Sequence, residues 1–400
     1  MEDVVSDDPY PARGRAAGRG GRDARGQRGL TLVELMVALA IAGLVTSSSF
    51  VFFAGQRRVY DAQMKVLGVQ QNLWGAMDTL SRFVRAAGTG MVGCVNTTDP
   101  TPTGATPPQT GLRAFFSGTP GTVTRLAPIW ISNGAAGGPD SITVAFGTGT
   151  FGSFSDVPLA ASVQSVTDAV VTPATLTSAF RTGEFAVLLD TSGLPVGPPL
   201  ADRGCTLFQI TGIDAAGNML QHASTSNWNP PGAIAGLVPF DYVGGATPKA
   251  GIRNFGTLNW VRFSIDTSGP APRLMMTRLD GLAGPTTPQV LADGIEDLQI
   301  AYACDLTPVD AIDGVLTEGT DAASRAADEW TFNAAGDVPP PGCVRPQAVR
   351  LTVIARTTDG DDNLAGASAN AKPAAEDGVA GIKDNFRHRV LTTVVAPRNR

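Results

Sequence analysis

The 25 residues from Leu30 to Ala54, LTLVELMVALAIAGLVTSSSFVFFA, carry a single charged side chain, the carboxylate of Glu34. As a helix this run spans about 37 Å, enough for a bilayer core of about 30 Å. An acid inside such a span costs about 2.5–3.5 kcal/mol near its centre and less toward an interface, so it is kept where it has a partner and a task. If the chain is cut between Gly29 and Leu30, the new α-amino group of Leu30 lies one helical turn from Glu34. In a packed assembly a neighbour's amine can serve as the counter-charge, and the pairing then sets the axial register between subunits.

Ahead of the run, Met1 to Gly29 hold Arg13, Arg15, Arg19, Arg22, Arg25 and Arg28 among Glu2, Asp3, Asp7, Asp8 and Asp23. Arginines just before a span keep that side cytoplasmic. A secretory signal peptide does not fit, because its cleavage follows the apolar region at small residues. Glycine with arginine also marks some RNA-binding segments, but the interspersed acids and the adjacent span favour the topogenic reading. Cutting after Gly29 removes these six arginines and five acids and leaves 371 residues with 24 Lys+Arg against 31 Asp+Glu, a formal charge of −7. No global basic footprint remains, and no nucleic-acid partner is expected.

Past Ala54, apolar residues recur at helical spacing, Val59, Val66, Leu73, Met77, Leu80 and Val84, among Arg57, Arg58, Asp61, Lys65, Asp78, Arg82 and Arg85. One helix is predicted from Leu30 to Ala87, about 87 Å long, with Gly88 and Gly90 as stop signals. Its first half suits a bilayer or a packed assembly and its second half a globular head. Gly43 and Ser47 to Ser49 are its weak points, since glycine costs about 1 kcal/mol relative to alanine in a helix. Trp74 is expected in the core rather than as a ligand platform.

The remainder reads as β structure. The chain is 43% hydrophobic, enough for a sizeable core, and its 47 glycines and 29 prolines imply many turns and short strands. Strands are predicted at Ser141 to Phe146, Glu184 to Leu189, Thr206 to Thr211, Asn259 to Ile265, Arg273 to Arg278, Leu298 to Ala303, Val349 to Arg356 and Val390 to Val395. The turn-rich DTSGPAP, Asp266 to Pro272, makes its neighbours a hairpin. Asn96 to Gly111, Leu194 to Gly204 and Leu306 to Gly342 read as loops or insertions. The fold class is α+β, divided as leader 1–29, transmembrane or filament-core helix 30–54, amphipathic continuation 55–88 and β-rich head 89–400.

The junction at Gly29 and Leu30, with Glu34 at the fifth position after it, resembles the class III signal of type IV pilins and pseudopilins. The resemblance implies cleavage after Gly29 by a prepilin peptidase and N-methylation of Leu30, which stands where the family usually has phenylalanine. The leader is long for this class. Further blocks, LSRFVRAAG (Leu80 to Gly88), DSITVAFG (Asp140 to Gly147), GEFAVLLD (Gly183 to Asp190), TLFQITGI (Thr206 to Ile213), VRFSID (Val261 to Asp266), LADGIEDLQIAYACD (Leu291 to Asp305) and RHRVLTTVVAPRN (Arg387 to Asn399), resemble PilW-type minor pilins. That family implies a subunit that primes pilus assembly in the inner membrane and sits at or near the tip. Implied partners are the major pilin, other minor pilins and the inner-membrane assembly platform, with a periplasmic head before assembly and a pilus or cell-surface location after it. Twitching motility, cell adhesion or competence is the activity that the resemblance implies for such a pilus. The rival readings are a minor pseudopilin of a type II secretion system and a tip adhesin or DNA-uptake pilin.

The four cysteines, Cys94, Cys205, Cys304 and Cys343, fall in the part expected outside the cytoplasm, where disulfides persist. They allow three pairings. Cys304 with Cys343, closing a glycine- and acid-rich loop, and Cys94 with Cys205 are favoured. No CxxC occurs, and His222 and His388 are not at zinc-ligand spacing with the cysteines, so no metal is expected. The turn TTDGDDN groups Asp359, Asp361, Asp362 and Asn363, oxygen ligands of the kind calcium takes. It lacks the downstream glutamate of an EF-hand loop and fits better as a solvated turn. Neither GxSxG nor a phosphate-binding GxxxxGK[ST] is present, the histidines are isolated, and the pair Glu296 and Asp297 reads as strand-edge or turn structure. Neither an enzyme nor a cofactor is expected.

Overall fold

The computed structural model describes residues 31–91, 94–96, 109–110, 112–114, 124–149, 156–161, 163, 168–170, 179–190, 205–216, 218–224, 226–229, 242, 250–280, 285–303, 330–331, 348–361, 370–376 and 378–397. The chain divides into two compact units, Met1–Asp61 and Ala62–Arg400. One α-helix, Leu32–Ala86, contributes to both.

The helix starts on Thr31, whose Oγ1 accepts the Glu34 N–H at 3.3 Å while its carbonyl accepts the Leu35 N–H at 3.1 Å. It stays regular through Gly43 and the serines. There Thr46 Oγ1 donates to the Ala42 carbonyl at 2.7 Å, and the hydroxyls of Ser48 and Ser49 donate to the Val45 carbonyl at 2.9 and 2.8 Å. These back-bonds keep the hydroxyls satisfied without water, as an apolar surrounding requires. In the first unit the apolar side chains stay uncovered, from Leu32 at 74% exposed to Phe50 at 72%. The helix ends at Ala86, and Gly88 turns the chain with φ 74°, donating its N–H to the Ala145 carbonyl at 3.0 Å. A left-handed residue just past a helix favours glycine.

In the second unit the helix buries one stripe, Val69, Leu73, Ala76, Met77, Leu80 and Val84, which Ala87 continues just past the helix end. It shares a core with two antiparallel sheets. One runs in the order Gln289–Asp293, Arg273–Arg278, Leu258–Asp266, Ser141–Gly147, Ile129–Ser132; the other runs Trp330–Thr331, Ile295–Ala303, Ala348–Arg356, His388–Val395. Alternation supplies the inner faces: Ile142 and Val144, Val261 and Phe263, Leu298 and Ile300, Leu351 and Val353 all point into this core. Phe83 stands edge-on to Phe146 and Phe263, with centroids at 5.8 and 5.0 Å. Polar pins hold the helix in register: Lys65 Nζ donates to the Gly360 carbonyl at 3.0 Å and Asn72 Nδ2 to the Asp293 carbonyl at 2.9 Å.

The chain passes from one sheet to the other at Gly294, where φ is 76°. A Cβ there would stand 2.6 Å from the Arg356 carbonyl oxygen, which excludes any side chain. Asp140, 2% exposed, ties the sheets together a second time. Its carboxylate accepts the N–H of Ile300 at 2.8 Å and of Gly134 at 2.9 Å, and its own N–H donates to the Leu298 carbonyl at 2.8 Å.

A further sheet, in the order Thr124–Leu126, Leu112–Ala114, Cys205–Gln209, Phe185–Asp190, Ala250–Gly256, Val157–Pro158, is apolar on both faces. In FAVLL, Ala186 and Leu188 enter one core with Phe208 and Ile252, while Phe185, Val187 and Leu189 enter another with Trp228 and Phe255.

The eight strands predicted from sequence are all present, with ends moved by up to three residues. The hairpin around DTSGPAP pairs Leu258–Asp266 with Arg273–Arg278. Four expectations are corrected. Trp74 is 64% exposed, because the buried stripe runs through Leu73 and Met77 and leaves it off its face, and Val59, in line with that stripe but within the first unit, is 53% exposed. Glu296 and Asp297 lie within the inner strand Ile295–Ala303 rather than at an edge or turn, where a bulge between Ile295 and Asp297 breaks the pairing with Ala348–Arg356. Of the expected loops, Val95–Asn96 and Gln109–Thr110 pair with each other, and Trp330–Thr331 adds a short strand beside Tyr302 and Ala303. Leu194 to Gly204 lies outside the described residues.

Leu80 is fully buried, so Leu80→Ala should lower the unfolding free energy of the detergent-solubilised chain by about 2–5 kcal/mol in urea titration. Trp74→Ala should stay within about 0.5 kcal/mol of the parent, as exposed positions do. Asp140→Ala leaves two inward N–H groups without an acceptor and should cost about 2–4 kcal/mol by the same titration.

Candidate assembly site

Gly29 and Leu30 lie outside the described residues. Glu34 occupies the first turn of the helix, where a carboxylate meets the positive end of the helix dipole. With Thr31 accepting its N–H, the sequence TLVE forms the first half of a capping box, in which a threonine and a glutamate three residues on serve the free N–H groups of a helix start. The S/T-x-x-E pattern was available in the sequence but was overshadowed by the apolar run. Thr31 makes this cap with the backbone N–H of residue 34, and the Glu34 carboxylate acts on the helix start through the dipole, in addition to any charge it offers a neighbour.

Downstream of Glu34 the helix is long and apolar enough to cross a membrane, and nothing in the first unit covers its apolar window. Leu32, Met36, Leu39, Leu44, Phe50 and Phe53 are each more than half exposed. Such a surface cannot stay in water, and a bilayer or a bundle of like helices removes it.

At the helix C-terminus Cys94 is bonded to Cys205, with Cα atoms 5.4 Å apart, one of the two favoured pairings. The bond staples the chain leaving the helix to the strand Cys205–Gln209. Beside it, Arg253, 6% exposed, forks onto Asp156, with Nε to Oδ1 at 2.8 Å and Nη2 to Oδ2 at 3.2 Å. Cys304 and Cys343 lie outside the described residues.

Among the described residues the calcium candidate does not assemble. Asp361, 5% exposed, accepts from Arg387 Nε at 2.9 Å and Nη2 at 2.6 Å, so a guanidinium already holds its charge where a cation would sit. Asp359 is exposed, and Asp362 and Asn363 lie outside the described residues. Among the described residues no three His, Cys, Asp or Glu side chains gather as metal ligands.

Neither histidine is isolated in space. His222 is fully buried with its ring 5.1 Å from that of Phe208, and His388 Nε2 stands 3.0 Å from Glu296 and 3.6 Å from Asp384. Sequence reading also missed the buried charges on the outer face of the second sheet. Asp297, with 1% of its side chain exposed, pairs with Lys372 at 2.5 Å, and Arg350 forks onto Glu376 with both contacts at 2.7 Å. Each acid meets a base, and Thr352 Oγ1 adds a third bond to Glu376 at 3.1 Å, a closed arrangement that fastens the segment 372–376 onto the strands.

Two family models match this chain. The prokaryotic N-terminal methylation motif covers residues 24–50, the junction and most of the apolar run, and type IV pilus-assembly protein W covers residues 262–399, from the hairpin through the last strand. The chain is a PilW-type type IV pilin. The second match takes in Gly294, the salt-bridged outer face and all four strands of the second sheet, so the family's signature lies where the helix is held. No curated protein and no solved structure matches this pilin. The methylation motif implies processing by a prepilin peptidase, pilus assembly with other pilins and anchoring of the apolar helix in a membrane.

Cys205→Ser, which opens a crosslink between residues 111 apart, should cost about 2–5 kcal/mol of head stability, read as a lowered Tm under non-reducing conditions. Calorimetric titration of the purified chain with calcium should give no binding heat.

Proposed function

We propose that this pilin is a minor subunit that primes assembly of a type IV pilus and sits at or near its tip. The prepilin is cut between Gly29 and Leu30 and N-methylated on Leu30. Residues 30–54 then serve as membrane anchor and later filament core, 55–88 carry the helix into the head, and 89–400 form the head. The head faces the periplasm before assembly and belongs to the pilus surface afterwards. Partners are the major pilin, the other minor pilins and the inner-membrane assembly platform. The role is structural, with no catalytic step.

The observation that supports this reading is a continuous helix whose apolar first half is uncovered and carries one acid, Glu34, in its first turn. Within an apolar surrounding an unpaired carboxylate is costly, and the α-amino group of a neighbour's Leu30 is a cation of matching depth. Pairing fixes how far one helix slides against the next.

The test is a deletion strain complemented with the native chain or with Glu34 variants, scored by sheared pili and by membrane fractionation. The native chain should restore pili. Glu34→Ala should insert and be cleaved but assemble poorly. Glu34→Gln retains a side chain able to complete the capping box while removing the charge. Failure of the glutamine variant supports charge pairing between subunits, whereas normal piliation with it would leave Glu34 only its place at the helix start. Normal piliation in the deletion strain, with lost protein export, would transfer the chain to a secretion pseudopilus.

A further inference from the structure

Among the described residues the most exposed large apolar side chain is that of Ile382, at 88%, above any in the apolar run. Val379, 56% exposed, stands three residues before it, and Lys383, also exposed, directly after it. The base of this turn is fixed. The Gly381 N–H donates to the Lys372 carbonyl at 2.9 Å, Lys372 Nζ meets Asp297 at 2.5 Å, and Lys383–Asp384 pairs with Asn370–Ala371. A Cβ on Gly381 would stand 2.8 Å from that of Lys372, so the turn is pressed against the segment beneath it. Ile382 therefore projects from a braced support, and among the described residues nothing covers it.

The turn belongs to the end of the head where the helix enters. The Asp361 N–H donates to the Asn385 carbonyl at 2.8 Å, and Lys65 Nζ donates to the carbonyl of the adjacent Gly360 at 3.0 Å. Lys65 is near the start of the second unit and lies about 16 Å of helix past Ala54, where the apolar run stops. The polar layer of a bilayer takes up about 5–7 Å of that distance, and the chain from Asn385 to Ile382 reaches about 10 Å. A membrane that holds the apolar run is thus within reach of this turn at all times before assembly, which argues for lipid over another protein as what covers Ile382.

The charges beside the turn suit an anionic surface. Lys383 and Arg389, at the start of the last strand, are both exposed. Of the acids between and around them, Asp384 accepts the Phe386 N–H at 3.0 Å and stands 3.6 Å from His388, and Asp361 is held by Arg387; Asp359 is exposed. An apolar side chain with basic neighbours binds a lipid surface by entering the headgroup layer while the cations meet phosphates. We propose that the turn 379–383 seats the head on the anionic bilayer that anchors its helix, with Ile382 entering the headgroup layer and Lys383 and Arg389 on lipid phosphates. The proposal rests on the apolar run's being held in a membrane. It gives the chain a second membrane contact, which fixes the attitude of the head while the subunit waits in the bilayer and breaks when the subunit is drawn into a filament.

The test places a photocrosslinking residue at position 382 of the full chain, reconstituted in vesicles of phosphatidylethanolamine and phosphatidylglycerol, and maps the adducts by mass spectrometry. Lipid adducts at 382 should exceed at least tenfold those from the same residue at position 257. Thr257 is exposed and is joined through Thr148 and Gly147 to Thr89, past the far end of the helix. The yield at 382 should fall at least fivefold in the Lys383→Glu, Arg389→Glu double variant and in vesicles of phosphatidylcholine alone. The Tm of the double variant should hold, because both side chains are exposed. A yield at 382 no higher than at 257, adducts to protein in place of lipid, or a yield that both changes leave unaltered would overturn the proposal. Flotation with the vesicles is read on the same samples. A chain that floats without lipid adducts at 382 is anchored and lacks only the second seat; a chain that does not float fails the anchoring, and the seat with it.

Discussion

The structure depends on the burial of one stripe of one helix. Over its last five turns the helix places Val69, Leu73, Met77, Leu80 and Val84 against both sheets at once, and among the described residues none of the three layers has another partner for its inner face. Full burial of a leucine or valine contributes about 1.5–3 kcal/mol, so the stripe is among the larger cohesive elements of the head. The two sheets must therefore keep a fixed angle to each other, which Gly294 permits and Asp140 enforces. Remove the corner, and the strands on one side lose their place on the helix.

The division of labour along the helix follows from the same stripe. Its residues are satisfied within the chain, whereas the apolar residues before Asp61 are not. A single regular element thus serves two environments, and its composition changes accordingly, from a run with one acid to an alternation of basic, acidic and apolar side chains.

Much of this was legible in the sequence because it is written in periodicity. Strands such as SITVAFG and VRFSID alternate cleanly, and a helix of this length with glycines at its end leaves little room for another reading. Residues whose place depends on distant partners were not legible. Trp74 looked like core by size alone, and only the position of the stripe shows that it faces out. Asp297 read as strand-edge or turn structure and nothing marked Glu376, yet the side chain of each is buried beside a base brought from elsewhere in the chain, Lys372 and Arg350. Asp361 read as part of a solvated turn, yet Arg387, 26 residues on, takes its carboxylate into a buried pair. Local patterning carries no information about such pairings.

The shared core also sets an order in time. The stripe ends at Ala87, but the strand that closes its core ends at Val395, about 300 residues later. At a synthesis rate of about 5–20 residues per second, the helix emerges roughly 15–60 s before the last strand that covers it. Contacts of such long sequence separation also form slowly. During that interval Leu80 and its neighbours are bare while the apolar run ahead of them is already able to enter a bilayer. Early capture of the apolar run by the membrane holds the waiting stripe at a surface, where few other nascent chains can reach it before the C-terminal strand arrives.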